Sequence, residues 1–485
     1  MTEQNLGAFQ VPTPETRPHY RSAIDPNSGR YSEREIEQYL SEETRIGYQA
    51  YVEAALAHTY ADFGKCSREV ALEIEAASRD ISADEVEARE KGRGEFKDKG
   101  TNHDIVALTD AITTRVSDEA KPWVHAAATS YDIISTANAL QFKEGMHGLV
   151  VPRVILLGDV IADLTDRYAD VAQVGRTHGQ HGVPITFGFT TSRYLGRLGE
   201  SLVEIDGRAN ALQGKFSGAV GGYNASALIN QDPKKFESVF LAKLGLTPCE
   251  HATQIVPAEN TLRLLAELAN TSGIMAQIGE DMRNLQRTET AEVGERFVAG
   301  SQRGSSAMPQ KRNPINFENA AGMHREVLGQ LLNAYQNLVS DHQRDLRDSV
   351  SMRFYGTIPA MVSRTASSLT RTLSKLEVHE PNLQRNLRLT GGAIASEALQ
   401  VILRDRGNVG AYTIAKRIVE ESQQSGEPFR IVVAADSETA PLLEVIPVHQ
   451  RDAVINPEEH YLGLTAEEAR RHVTLWEEVK QKLAA

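Results

Sequence analysis

The 485-residue chain carries 41% apolar and 24% charged residues, a globular balance that excludes intrinsic disorder. Its formal net charge of −13 argues against a general nucleic-acid or anionic-membrane binder, although a local arginine–lysine cluster could still hold an anionic small molecule. Two cysteines far apart, Cys66 and Cys249, exclude a disulfide framework and point to a reducing, cytoplasmic setting, and no run of roughly 18 apolar residues is present to span a membrane.

In chain order, the stretch to about Gly29 is polar, carries Pro12, Pro14, Pro18 and Pro26, and reads as an extended arm without a signal-peptide core. Helices then announce themselves: Ser32 with Glu35, and Ser82 with Glu85, fit the reciprocal capping box. Five later segments place apolar residues three and four apart, which puts each set on one stripe of a helix. They are Val154–Leu157–Ile161–Leu164–Tyr168, Leu195–Leu198–Leu202–Ile205–Ala209–Leu212, and Leu264–Leu268–Thr271–Met275–Ile278–Met282–Leu285, followed by Leu328–Leu331–Tyr335–Leu338 and Val362–Ala366–Leu369–Leu373–Leu376. A mean spacing of 3.5 favours near-antiparallel packing with a slight left-handed supercoil. The expected architecture is all-α: a central bundle of long helices over 126–385, a helical N-terminal domain over 1–125 and a small helical C-terminal domain over 386–485. Pro152 and Pro359 mark helix starts or kinks. Thr271, the polar member of its stripe, is expected to bond its own helix, and 422–442 reads as a surface excursion.

Several segments break this pattern and carry reactive side chains. TNHD at 101–104 and WVHAAATSYD at 123–132 each set one histidine beside small hydroxyl residues. GRTHGQHGVPITFG, 175–188, holds His178 and His181 in a glycine-punctuated stretch; alone these are two surface histidines, and no third ligand of matching type supports a metal site. GKFSGAVGGY, 214–223, is rich in small residues. GSSAMPQKRNP, 304–314, mixes serines, a lysine and an asparagine, yet lacks the spacing of a phosphate-binding P-loop. QRDLRDSVSMR, 343–353, offers Arg344, Arg347 and Arg353 with Ser349 and Ser351 to an oxyanion; alone it is a charged helix face. Hydroxyls, imidazoles, a lysine and arginines on separate loops of a helical bundle suit a polyanionic small substrate and acid–base chemistry.

Together these motifs resemble the fumarase/aspartase superfamily. GSSAMPQKRNP is similar to its signature loop, GRTHGQHGVPITFG to its Thr-His segment and WVHAAATSYDIISTA to its Thr-Ser-x-Asp segment. TNHDIVAL, the Arg-Asn-Pro loop end and RDLRDSVSMR followed by SKLEV resemble the adenylosuccinate lyase branch. The resemblance implies three-domain all-helical subunits in a homotetramer with shared active sites, an anionic nucleotide substrate, and no metal or organic cofactor. It implies His178 as general acid at the departing nitrogen and Ser305, beside Ser306, as the base that removes the Cβ proton. Lys311 and Asn313 would hold the carbanionic intermediate, and Glu318 would orient the catalytic histidine. His103, Asp104, His125, Thr129, Ser130 and Gln254 would line the substrate, and Arg30, Tyr31, Arg344, Ser349 and Arg353 would bind the nucleotide phosphate and its surroundings. Two positions depart from that branch. Gln310 stands where histidine is common and resembles argininosuccinate lyases, and Tyr131 replaces a small residue in Thr-Ser-x-Asp. The alternatives are therefore another fumarate-releasing lyase or a carboxymuconate-type cycloisomerase.

Overall fold

The computed structural model of the chain describes residues 29–31, 34–296 and 307–484. The N-terminal arm, Ser32 of the first expected capping box, and Ser305 and Ser306 lie outside them. The fold is all-α, accompanied among the described residues by three small two-stranded sheets that the helical periodicities do not announce. The chain forms two compact units: residues 1–152, 204–270 and 325–364, and residues 153–203, 271–324 and 365–485.

In the first unit, serines start the helices. Ser41, Ser67 and Ser82 each turn a hydroxyl back to a backbone N–H three residues on, at 3.2–3.3 Å, opening Glu42–Asp62, Arg68–Arg79 and Ala83–Lys91. Only this arm of the expected Ser82–Glu85 box forms. The Glu85 carboxylate instead receives Arg89 at 3.0 Å and Arg115 at 2.7 Å, stronger charged donors than an end-of-helix amide. Tyr60, Phe216, Phe236 and Phe240 make an aromatic nucleus with centroids 4.8–5.5 Å apart. Such contacts contribute about 0.5–1.5 kcal/mol per pair beyond the area they bury.

All five expected long helices are present: Val151–Arg167, Phe187–Asn210, Glu259–Leu285, Ile315–Tyr335 and Thr357–Leu373. Helix Ser130–Gly145 meets the first of these through one π turn, Met146–Val150, where Val151 N–H reaches back five residues to the Met146 carbonyl. Pro152 follows at once, and the widened turn accommodates a residue that cannot donate to position 148. Pro359 sits in the first turn of its helix, where its missing N–H costs nothing. Four of the stripes are buried, but the fourth is not: Leu328, Tyr335 and Leu338 are exposed, as is Leu332. The face that packs within the chain is instead Phe317, Ala320, Val327 and Ala334. Periodicity marks an apolar face without saying what covers it. The buried Thr271 hydroxyl also meets that of Ser201 on the neighbouring helix at 2.7 Å.

In the second unit, strands Ala172–Thr177 and Gln180–Thr186 form an antiparallel hairpin. The C-terminal helices close on Leu399, Leu403, Ile418, Leu443 and Val454. Phe429 and Val433 are fully buried in the same cluster, so 422–442 is not a surface excursion but part of the core. They sit on the short apolar helix Phe429–Ala435, FRIVVAA, between the polar stretches QQSGE and DSE. Trp476, on helix Thr465–Ala484, is buried and donates its indole N–H to Asp159 at 2.9 Å. It fits only because residue 158 is glycine: a Cβ there would lie 2.0 Å from the indole.

Candidate active site

The expected site residues fall on three separate surfaces. The first is a cleft in the first unit, lined by His103, Asp104, Thr129, Ser130, Gln254, Ser349 and Arg353. Seven of the eleven residues assigned to substrate lining and phosphate binding thus meet, from four stretches of chain. Ser130 Oγ is 3.3 Å from His103 Nε2, Asp104 lies 3.5 Å from the other imidazole nitrogen, and Arg353 donates to Asp104 at 3.3 Å. Hydroxyl, imidazole, carboxylate and guanidinium form one polar chain around an open cavity.

The cleft is held by side chains to which the sequence reading gave no role. Asp132, fully buried, accepts from Thr129 N–H at 2.9 Å and from Gly218 N–H at 3.1 Å, and pairs with the equally buried Lys215. This pins the Thr129–Ser130 helix start to the small-residue segment 214–223. Glu237, also buried, accepts from Phe216 N–H and from the Tyr223 phenol, both at 2.6 Å, and burial raises its carboxyl above the usual range. Non-glycine residues with left-handed backbone cluster here, at Asn102, His125 and Ala127. Such strain collects where surroundings fix a functional geometry.

His125 is not among the residues lining this cleft. Its Nδ1 is 2.6 Å from Glu53 Oε1, and its backbone N–H donates to Oε2 at 3.2 Å. Burial opposes a charge on the ring, but the fully buried Glu53 carboxylate outweighs it and raises the imidazole above its ordinary range. Glu53 carries a readable signal, a lone acid in the apolar run VEAALA. Arg344 is tied to Asp348 at 2.9 Å. Arg30 and Tyr31 occupy a turn at the start of the described chain and do not line the cleft.

The second surface, in the second unit, flanks the signature loop. Lys311, Asn313 and Glu318 line a cleft with Arg283, Arg287 and His379. Glu318 stands in the first turn of helix Ile315–Tyr335, where a negative charge complements the helix dipole. The helix start is capped from a distance. Glu295 accepts from Asn316 and Phe317 N–H at 2.9 and 3.1 Å, and burial raises its carboxyl despite these donors.

The third surface is the hairpin tip. Thr177 pairs with Gln180, and the two residues between them, His178 and Gly179, have φ of 54° and 73°. Positive φ at both central positions is the signature of a type I′ turn, whose twist matches that of its strands. His178 is exposed on this rigid support. The strand beneath is anchored by Glu292, fully buried, which pairs with Arg176 and accepts from Gln173 at 2.8 Å and Asn386 at 2.7 Å. His181 is held below the ordinary imidazole range by burial and by the nearby Arg176. No hydrogen bond or ion pair joins His178 to Glu318 within the chain, and His178 does not line the Lys311 cleft.

The family described as Lyase matches residues 19–329, and the one described as Adenylosuccinate lyase C-terminal matches residues 340–441. In solved structures, the fumarate lyase of Mesorhizobium sp. BNC1 aligns with a TM-score of 0.78 at 21% identity, covering 92% of this chain and 98% of that one. The 3-carboxy-cis,cis-muconate lactonizing enzyme of Pseudomonas putida aligns at 0.77 and 24% identity, covering 93% and 98%. At such identities these two establish a shared fold and nothing further. The sequence relatives are more specific. The adenylosuccinate lyase of Methanothermobacter thermautotrophicus is 32% identical over 95% of this chain and 99% of its own, and that of Bacillus subtilis is 32% identical over 84% and 91%. The chain belongs to the adenylosuccinate lyase family of carbon–nitrogen lyases.

Proposed function

We propose that the protein cleaves adenylosuccinate to AMP and fumarate, and the related succinyl-carboxamide ribotide SAICAR to AICAR and fumarate. The observation that carries this is the match to adenylosuccinate lyases over nearly the whole chain at 32% identity. In this reading Ser305 takes the Cβ proton and the electron pair passes into the adjacent carboxylate, where Lys311 and Asn313 stabilise it. The carbanion then collapses to the double bond of fumarate while the C–N bond breaks, and His178 gives the departing nitrogen its proton. Glu318 orients that imidazole, and Ser306 supports the base. Thr129, Ser130, His103, Asp104, His125 and Gln254 hold the substrate; Arg30, Tyr31, Arg344, Ser349 and Arg353 take its phosphate end. No cofactor enters these steps.

We further infer a homotetramer with shared sites, in which the three surfaces from different copies meet. Two features support this: no hydrogen bond or ion pair joins His178 to Glu318 within one chain, and Leu328, Leu332, Tyr335 and Leu338 leave an apolar row uncovered. The three-domain division at 125 and 385 belongs to the same proposal. So does a cytoplasmic site of action; no described helix is long and apolar enough to cross a membrane. The test is direct. Purified protein is offered adenylosuccinate, argininosuccinate and carboxymuconate while fumarate absorbance and mass by light scattering are recorded. Fumarate from adenylosuccinate alone, by a particle of four chains, is expected; fumarate from argininosuccinate would favour the reading that Gln310 suggests.

A further inference from the structure

Tyr131, the residue that departs from the small-residue pattern, lines the first cleft between Ser130 and Ile134. On its ring lies the guanidinium of Arg344, 3.5 Å from the centroid. The Arg344 side chain is only 4% exposed, and its donors are unevenly used. Nε donates to the Asp345 carbonyl at 3.0 Å and Nη2 to Asp348 at 2.9 Å, whereas Nη1 is buried without a hydrogen-bond partner. A dry, unpaired donor on a cation is costly, and sites that tolerate one commonly reserve it for a ligand. Stacking on an aromatic face removes the freedom of a long, flexible side chain before any ligand arrives. Ser349 and Arg353, on the segment that follows, line the same cleft.

We propose that Tyr131 is a positioning residue that sets specificity for the phosphate-bearing end of the substrate: its ring lines the cleft and holds Arg344, itself outside the lining, so that the buried, unpaired Nη1 meets an anionic oxygen once the bound substrate opens a path to it. The inference rests on the reading of 344–353 as the phosphate-binding segment. A small residue at 131 would leave the guanidinium held by Asp345 and Asp348 alone.

The experiment compares wild type, Tyr131→Ser, Tyr131→Leu and Tyr131→Phe as full chains, by calorimetric binding of AMP and of adenosine and by adenylosuccinate kinetics. Tyr131→Ser should weaken AMP binding about tenfold while leaving adenosine binding within about twofold. The KM for adenylosuccinate should rise in step, with kcat far less affected. Tyr131→Phe, which keeps the ring, should recover most of the AMP affinity. Tyr131→Leu keeps bulk without the ring and should behave like the serine variant, so it decides the matter if the serine variant folds poorly. The proposal is overturned if AMP and adenosine weaken together, if neither changes, or if wild type binds both equally. Absence of fumarate release by wild type would instead refute the reaction assigned above, because the AMP–adenosine comparison needs no turnover.

Discussion

The imidazole of His125 stands 2.6 Å from the carboxylate of Glu53, a side chain with no exposed surface. The pair fixes a histidine whose own backbone is left-handed, at the edge of the segment that leads into Thr129 and Ser130. Its folded-state pKa is raised, so the stability it contributes is fully present below the unfolded value of about 6.5 and is lost as pH rises through the folded value. Glu53→Gln should therefore cost about 1–3 kcal/mol at low pH and less at high pH. Melting temperatures of both proteins across pH 5.5 to 9, on the order of the window these values define, would show a gap that narrows upward; a constant gap would count against the charged pair.

Lys215 and Asp132 form a fully buried pair beneath the first cleft. Removing one partner strands a charge, which costs about 3–5 kcal/mol, whereas replacing both by apolar residues is far milder. Lys215→Met should unfold at markedly lower urea than wild type. Asp132 also caps the Thr129 helix start, so Asp132→Leu with Lys215→Met should recover stability but not substrate affinity. Denaturation midpoints and KM, measured side by side, separate the two roles.

Gly158 allows Trp476 to lie against its helix. Gly158→Ala forces a Cβ into the indole and should destabilise the protein by about 1–3 kcal/mol despite alanine's better helix propensity. Adding Trp476→Leu should return part of that loss in thermal melts. A stabilised Gly158→Ala single variant would mean that the helix Thr465–Ala484 packs elsewhere.

His178→Ala and Ser305→Ala should each lower kcat by about 10² to 10⁴ or more while leaving a folded oligomer. If sites are shared between copies, mixing the two inactive variants under conditions that exchange subunits should restore part of the activity, since some sites then receive an intact serine and an intact histidine from different chains. Continued silence after verified exchange would indicate that both groups come from one chain.

The long helices were legible because burial repeats every three to four residues, and four of the five stripes are buried as that spacing implies. The reactive segments were legible by residue type, and seven of their residues, from four stretches of chain, converge on one cleft. The hairpin was not: a type I′ turn is announced by Asn-Gly, Asp-Gly or Gly-Gly, and His178-Gly179 supplies only the second glycine. The pairings of Asp132 with Lys215, Glu53 with His125 and Glu292 with Arg176 stayed hidden for a different reason: the partners lie between 72 and 116 residues apart in sequence, too far for local spacing to reveal. The apolar row on Ile315–Tyr335 was seen as a stripe, but sequence cannot tell a face covered by its own chain from one left bare.

The tight turn at 178–179 makes this stretch intolerant of changes in length. A loop of two residues has no slack: one inserted amino acid would shift the strand register or force a bulge, and move the imidazole by about 3.3 Å, a full residue step. Substitution can retune the side chain at 178 in place, but insertions and deletions that refit an enzyme to new substrates must fall elsewhere, in the loops that surround the clefts.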